Sequence, residues 1–434
     1  MTEKSHSDPI STADNKKSYM EVMTMKKFNK VLALCLALVL VVGCFAACGG
    51  DKTPDTDEHV AENIKVALIC LHGDSSTYDK NFIDAFKLAC ENKGLTADDY
   101  TIVTDIPEDT ACYDQAADLA ESYDLIFADS FGHESHMIKA AKEFPEVEFC
   151  HATGTRAHTE NLPNFHNAFA SIYEGRYLAG VAAGMKLVEL YGDDEGKVSD
   201  ENAKIGYVGA FPYAEVISGY TSFYLGAKSI VENATMEVRY TNSWYDETAE
   251  KTTALALIDA GCKLISQHAD SWGAPTACEE KNIPNVSYNG STEEKCPNTF
   301  IIASRINWAP YFEYIIDCVQ NDKAIDTDWT GTLATGSVEI TALGGAAAKG
   351  TQDKLDEVKK GLQDGTIKVF DCSTFTVEGK ELTSFIADVD DAGDYKPETE
   401  VVETANDITF INESAKRSAP YFNIIIDGIT AVTE

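Results

Sequence analysis

Between Ile64 and Gly290 the sequence alternates short apolar runs with amphipathic stretches, and it does so in two successive series. The first series opens with IKVALICL at 64–71, and apolar residues then recur at helical spacing up to Gly94. The second series opens with KIGYVGAF at 204–211. An apolar strand, an amphipathic helix and another strand are typical of a βαβ unit, which builds a parallel sheet covered by helices. Because the pattern occurs twice, the sequence predicts an α/β protein with two lobes.

Polar and aromatic side chains follow the ends of the predicted strands in both series. In open α/β sheets, ligands bind outside the carboxyl ends of the strands. Two such edges that face each other form a cleft, and we therefore expect a ligand-binding site between the lobes. The residues in these positions are Asp74, Tyr78, Asp129, Phe131, Trp244, Asp246, Asp270 and Asn289.

Two segments, residues 165–185 and 299–312, each join a predicted strand to a predicted helix between the series. We interpret them as crossings between the lobes. The tail differs from both series, because EVKKGLQDGTIKVF predicts a helix followed by a strand, and an acidic, turn-rich stretch comes after it at 388–407. This organisation predicts two lobes. The first consists of residues 64–166 plus 307–335, and the second consists of residues 167–306 plus 336–434.

A positively charged stretch and an uncharged apolar run stand near the amino terminus. Three lysines lie between residues 26 and 30, residues 31–47 carry no charge, and Cys48 follows one phenylalanine and two alanines. This order is typical of a secretory signal peptide. A cysteine directly after small residues resembles the lipobox of bacterial lipoproteins, although Phe45 stands where leucine is usual. The resemblance implies that Cys48 is diacylated and anchors the mature protein to the extracytoplasmic face of the cell membrane.

A membrane-spanning helix is the alternative interpretation of this run. The run is shorter than the roughly 20 residues that a bilayer requires, which favours the signal peptide. We therefore divide the amino-terminal part into three segments. Residues 1–24 are a non-native or over-called extension, residues 25–47 are a lipoprotein signal peptide, and residues 48–63 are the lipidated cysteine with an acidic tether.

The net charge excludes some partners. The chain carries 35 Lys and Arg against 71 Asp and Glu, a formal charge of −36. Removal of residues 1–47 takes away 6 basic and 4 acidic residues, which leaves 29 against 67, or −38. A surface this negative repels phosphate backbones, so nucleic acid is not expected as a partner. We expect a ligand that is neutral or cationic.

Of the 12 cysteines, the nine from Cys70 to Cys372 follow the predicted lipidation site. Their number is odd, they form no CxxC pair, and several stand in predicted strands or helices. We therefore expect buried free thiols, with one or two disulfides as the alternative.

Two motifs that suggest enzyme or metal chemistry lack their partners. GDSS at 73–76 resembles the nucleophile turn of GDS-type esterases, which need a late Asp and His as the base, but the last histidine is His268. His133 and His136 do not have HExxH spacing, and no Cys or His cluster adjoins them. The sequence therefore predicts no enzyme activity, no metal site and no cofactor.

A series of segments between Ile64 and about Phe370 resembles the basic membrane protein family of ABC-transporter substrate-binding lipoproteins. The segments are YDKNF (78–82), DLIFADSFGH, AKEFPEVEF, YEGRYLAGVAAG, KIGYVGAF, NSWYDE and DGTIKVF. The resemblance implies a type I periplasmic-binding-protein fold, in which two Rossmann-like lobes joined by three crossing segments close on a ligand.

The resemblance also implies a function: an extracytoplasmic solute-binding protein of an ABC importer, monomeric, with permease subunits as partners. The run from EFCHATG to QHADS is similar to a purine-binding branch. GDSSTYDKNF departs from the acidic run of nucleoside binders, which favours a purine base such as adenine over a nucleoside. The alternatives are a lipoprotein sensor or surface adhesin with the same fold, and a binder of another small aromatic solute such as riboflavin.

The same resemblance implies roles for individual residues. Trp244 stands where the family places a stacking aromatic, and Asp270 is a candidate acceptor for an amino group or ring N–H of a purine. Phe82 is equally well interpreted as a core residue of its helix. The predicted ligand-binding residues are Ser76, Tyr78, Phe82, Phe131, Phe211, Trp244, His268, Asp270, Asn289 and Trp308.

Overall fold

The computed structural model describes residues 63–389 and 398–432. In chain order its strands are β1 (Val66–Ile69), β2 (Tyr100–Val103), β3 (Leu125–Ala128), β4 (Glu148–Ala152), β5 (Phe165–Ala170), β6 (Lys204–Gly209), β7 (Thr235–Tyr240), β8 (Leu264–Gln267), β9 (Asn285–Tyr288), β10 (Phe300–Ile306), β11 (Asp328–Gly331), β12 (Val338–Ile340), β13 (Ile386–Ala387), β14 (Thr399–Glu400), β15 (Val402–Ala405), β16 (Ile408–Ile411) and β17 (Ile429–Val432).

The helices cover the sheets. In chain order they are α1 (Thr77–Asn92), α2 (Thr110–Ala120), α3 (Glu134–Glu143), α4 (Ala157–Glu160), α5 (Ile172–Tyr191), α6 (Ala214–Lys228), α7 (Glu247–Asp259), α8 (Gly273–Lys281), α9 (Ala309–Gln320) and α10 (Thr351–Gln363). Among the described residues, no helix combines the length and the apolar character needed to cross a bilayer.

Two main sheets form the cores of two lobes. The first sheet has the strand order β11–β5–β4–β3–β1–β2, and all its neighbours pair in parallel. The second has the order β12–β10–β9–β8–β6–β7–β17, in which only β12 runs antiparallel to its neighbour. The predicted two-lobed α/β class is confirmed, and the parallel pairing follows from the helical crossovers between successive strands.

Helix boundaries follow the capping residues that the sequence offers. Ser76 precedes α1, and its hydroxyl accepts a hydrogen bond from the backbone N–H of Asp79 (3.2 Å). Gly94 follows the same helix with φ of +77°, a left-handed conformation that glycine adopts without strain. These caps fix the ends of a helix that carries several residues toward the cleft.

The chain crosses between the sheets three times. It passes from β5 into α5 at Ser171, from β10 into α9 at residues 307–308, and from β11 into β12 at residues 332–337. β5 pairs with β11 as far as Ala170, so the predicted division between residues 166 and 167 falls inside this strand.

One predicted strand is absent. We expected a strand after α10, but the described chain forms turns from residue 364 to residue 370. The reason is local, since the N–H groups of Thr366 and Ile367 both bond back to the carbonyl of Gly361 (3.0 Å each) and are unavailable to a sheet.

The cysteine prediction is confirmed for the described part of the chain. The nine cysteines from Cys70 to Cys372 are all buried, and none forms a disulfide. Cys48, the signal segment and most of the tether lie outside the described residues.

Candidate ligand-binding site

A narrow cavity lies between the two lobes, and the space between its lining atoms, together with the solvent at its mouth, amounts to about 370 Å³. It opens where the carboxyl ends of β1, β3 and β4 face those of β7 and β8, as expected for paired α/β lobes. The side chains that line it are Leu71, His72, Tyr78, Asp79, Ser130, Phe131 and Thr153 from the first lobe, and Glu215, Trp244, His268 and Asp270 from the second.

Half of the ten predicted ligand-binding residues line this cavity, namely Tyr78, Phe131, Trp244, His268 and Asp270. Among the other five, Ser76 caps α1 and is fully buried. Phe82 and Trp308 stack on each other in the core with ring centroids 4.3 Å apart. These two rings therefore support the site from below rather than line it.

The last two predicted residues do not line the cavity. Phe211 packs edge-on against the ring of Trp244, with centroids 5.0 Å apart. Asn289 follows β9 with φ of +62°, and its backbone N–H donates to the carbonyl of Ser304 (2.9 Å). Phe211 supports the ring of the tryptophan, whereas Asn289 directly follows the end of β9.

Aromatic rings form one side of the cavity. Trp244 is half-buried between Phe211 and His268. Phe131 of the first lobe meets Tyr213 of the second at a centroid distance of 5.4 Å. Tyr78 donates its hydroxyl to the carbonyl of Asp129 (2.7 Å), which holds its ring in place. A flat, partly desolvated surface of this kind suits a planar ring.

The cavity lining also contains carboxyl groups. Asp79, Glu215 and Asp270 all reach the cavity. Burial raises the pKa of Asp270 well above its usual value, and the charges of Asp79, Glu250 and Glu215 raise it further. No protein donor in the described residues bonds to the carboxyl oxygens of Asp270, although its backbone N–H donates to the carbonyl of Trp244 (3.0 Å). A ligand donor would therefore find a free acceptor here.

A buried group beneath the cavity joins Cys70, Asp79 and Asp129, with one ligand-type atom of each within 4.8 Å of the others. Burial, then the charge of Asp79, raises the pKa of Asp129, and burial and Asp129 raise that of the Cys70 thiol. Metal ligands of these types bind in their deprotonated forms. The environment therefore favours protons over a metal ion on this cluster.

Arg176 reaches the site from α5 and organises one wall. Its guanidinium donates to the carbonyl of Gln267 (2.8 Å) and contacts Nδ1 of His268 (3.1 Å), and it stacks over the ring of Tyr288 at 3.3 Å. A guanidinium can only donate, so Nδ1 accepts and the histidine proton lies on Nε2. Nε2 is 3.4 Å from a carboxylate oxygen of Glu215.

Burial lowers the pKa of His268, and Arg176 lowers it further against the opposing effect of Glu215. The histidine is therefore a neutral bridge between arginine and carboxylate, and it holds Glu215 at the cavity wall. Glu215 and Asp79 were missed by the sequence prediction, although Asp79 lies in the quoted YDKNF segment and Glu215 lies four residues after KIGYVGAF.

The lobes are closed on each other at this site. The backbone N–H and the hydroxyl of Thr77, at the start of α1, both donate to the backbone carbonyl of Asp270 (3.1 and 3.0 Å). The ring of His72 also lies 5.3 Å from that of Tyr245 across the cleft. The cavity is thus enclosed by residues from both lobes.

Comparison with known proteins identifies relatives. The profile of a family described as PnrA-like ABC transporter substrate-binding proteins matches residues 106–369. A Haloferax volcanii protein, whose name provisionally assigns it to glucose binding in an ABC transporter, is 30% identical over 273 residues, which cover 62% of this chain and 65% of that protein. A purine-binding protein of Brucella abortus is 36% identical over 188 residues, covering 43% of this chain and 49% of that protein.

An ABC transporter nucleoside-binding protein of Lactococcus lactis is 25% identical over 273 residues, covering 61% of this chain and 71% of that protein. The similarity thus spans less than two thirds of the Haloferax and Brucella proteins. Among solved structures, a solute-binding protein of an ABC transporter from Aeropyrum pernix aligns with a TM-score of 0.59 at 18% identity, over 71% of this chain and 93% of that one. This likeness shows a periplasmic-binding-protein fold.

Proposed function

Because the chain belongs to the PnrA-like family of ABC transporter substrate-binding proteins, we propose that it binds a purine base, adenine-like rather than a nucleoside, between its lobes. It delivers this solute to the permease subunits of an importer and is held on the outer face of the cell membrane by a lipid on Cys48. The observation that supports this best is that Trp244 and the unbonded carboxyl group of Asp270 line the same cavity between the lobes.

A purine base can contact both the aromatic and the acidic side chains that line the cavity. Its flat ring stacks on an aromatic face, which contributes about 1 to 3 kcal/mol per base. Its exocyclic amino group and ring N–H are donors, and Asp270 and Glu215 present acceptors. The carbonyl oxygen of the Asp270 carboxyl group can accept such a bond even while the group keeps its proton. Phosphorylated solutes are disfavoured, because their charge would meet these acidic groups.

Glucose is the second candidate. The carboxylates that accept from a purine amino group also accept from sugar hydroxyls. The Haloferax relative, whose name refers to glucose, supports this alternative. Both candidates use the same cavity, and they differ in how strongly they depend on the aromatic wall.

Calorimetry of the delipidated protein with adenine, guanine, hypoxanthine, adenosine, guanosine, riboflavin and glucose distinguishes these possibilities. We expect adenine to bind more tightly than adenosine, with a Kd below about 100 μM, equivalent to about −5.5 kcal/mol. If glucose or riboflavin binds in that range and no purine does, the purine assignment is wrong and the receptor class alone stands. The protein is first unfolded and refolded to remove any solute that co-purifies.

Replacement of Trp244 with alanine is expected to weaken adenine binding by about 5- to 150-fold, which corresponds to the loss of about 1 to 3 kcal/mol of stacking. Trp272→Ala is the matched control, since Trp272 lies at the start of α8 with Lys295 over its ring and outside the cavity lining. If calorimetry gives equal affinities for the Trp244→Ala variant and the wild type, the ring of Trp244 does not contribute to adenine binding.

Lipidation is tested separately in cells. Cys48→Ser is expected to release the protein from the membrane fraction and to abolish its labelling by a fatty-acid analogue, because the acyl chains need the thiol. Any Cys48→Ser protein that stays in the membrane fraction should be the unprocessed precursor, because it keeps the apolar signal segment. A variant that remains labelled and membrane-bound would show that another segment is the anchor.

A further inference from the structure

The chain continues well beyond the part that matches the family profile, which ends at residue 369. We refer to the described residues after this point, 371–389 and 398–432, as the C-terminal extension. Its last strand, β17, pairs in parallel with β7 and thereby enlarges the second sheet. Phe422 stacks on Phe370 with centroids 4.5 Å apart, and the carboxyl group of Glu413 accepts a hydrogen bond from the hydroxyl of Ser218 on α6. The extension is therefore anchored in the second lobe.

The same extension also contacts the first lobe. The backbone N–H and the hydroxyl of Ser418 both donate to one carboxyl oxygen of Asp328, at 2.9 Å each. Asp328 begins β11 of the first sheet, and its other oxygen lies 3.6 Å from Nδ1 of His158. Ser418 is fully buried. The extension thus joins the two lobes by a contact separate from the three crossing segments.

This contact lies beside a depression that adjoins the ligand cavity, because Arg417 and Ala419, the neighbours of Ser418, line it. This open depression, with about 860 Å³ of space that includes the solvent above it, shares Phe131, Thr153 and Glu215 with the cavity wall. Its opposite side comes from the extension, where the lining residues are Asp388, Arg417, Ala419, Pro420 and Asn423. The extension therefore lines a depression that adjoins the ligand cavity.

We propose that the C-terminal extension is a latch, in which the Ser418–Asp328 contact holds the two lobes closed and must break before the cavity exchanges its solute. The extension moves with the second lobe, because β17 and Phe422 fix it there. A hinge rotation that separates the lobes carries Asp328 away from Ser418, so both hydrogen bonds are lost together. The proposal rests on closure of the lobes, as in the proposed function, but not on which solute binds.

Cleft opening can be measured without any solute by hydrogen exchange. The N–H of Thr77 bonds across the cleft to Asp270 and exchanges only when the lobes separate. In the double variant Asp328→Cys, Ser418→Cys, the oxidised form is expected to exchange in the segment 71–78 at least tenfold more slowly than the same protein after reduction. Peptides from α10 should not change. Equal rates in the cleft segment before and after reduction would overturn the latch.

A second variant decides the matter if the disulfide does not form. Asp328→Ala removes the acceptor of both hydrogen bonds and is expected to accelerate exchange in the segment 71–78 at least threefold. Asp326→Ala is the matched control, since this nearby aspartate is exposed and does not bond to Ser418. Equal exchange in the two alanine variants contradicts the proposal. Because no solute is present, this outcome is independent of the calorimetric test of the ligand.

Discussion

Replacement of Gly180 with alanine is expected to lower the free energy of unfolding by about 3 kcal/mol or more, because α5 and α6 approach each other too closely for a methyl group. A Cβ atom at Gly180 would overlap the carbonyl oxygen of Phe223. Reciprocally, a Cβ atom at Gly226 would overlap the carbonyl oxygen of Tyr177. Both obstacles are backbone atoms, which cannot rotate away as a side chain can, so the helices must separate.

Urea unfolding followed by circular dichroism measures this loss. Gly290→Ala is the matched control, because the same methyl group there would lie 3.9 Å from the side chain of Thr77, an ordinary contact distance. The control is expected to unfold within about 0.5 kcal/mol of the wild type. If Gly180→Ala is as stable as this control, the helix crossing is looser than described.

Replacement of Glu413 with glutamine is expected to change how stability depends on pH. Burial raises the pKa of this carboxyl group to about 8 from an ordinary value of 4.5. Between these values the folded protein keeps a proton that the unfolded chain has lost. The stability contributed by the raised pKa is thus fully present below pH 4.5 and declines as the pH rises to about 8. The total effect is at most about 5 kcal/mol, at 1.36 kcal/mol for each pH unit.

The variant should lack this component, since glutamine is neutral at every pH and still offers an acceptor to Ser218. We expect the wild type to lose stability relative to Glu413→Gln between pH 5 and pH 8.5 in urea titrations. Glu357→Gln is the control, because that side chain is 70% exposed. Parallel pH profiles of the wild type and Glu413→Gln would mean that Glu413 is ionised within the fold.

The sequence could predict the residues that depend on strand position. Trp244 and Asp270 follow β7 and β8, and the carboxyl ends of parallel strands meet at one edge of a sheet. Helical spacing could not tell whether the ring of Phe82 faces the cleft or the core, since both lie on the inner side of α1. The structure shows this ring stacked on Trp308 below the cavity.

Other features depend on tertiary contacts that no local pattern encodes. Arg176 meets His268 across 92 positions of sequence, and this pair in turn orients Glu215. The contact of Ser418 with Asp328 joins segments 90 residues apart. Short polar residues in turns carry no signal for such partners. Only the folded chain therefore shows that the C-terminal extension lines the depression next to the cavity.

The buried thiols make cysteine reactivity a measure of unfolding. The thiolate is the reactive form of cysteine, and burial raises the pKa of Cys262 to about 11 and that of Cys112 to about 12. A thiol reagent added to the folded protein therefore reacts only when the chain opens. Its rate of reaction at Cys112 reports opening of the first lobe, and its rate at Cys262 reports opening of the second. In oxidising surroundings the unfolded chain is exposed to incorrect disulfides, so burial in the folded state protects these cysteines.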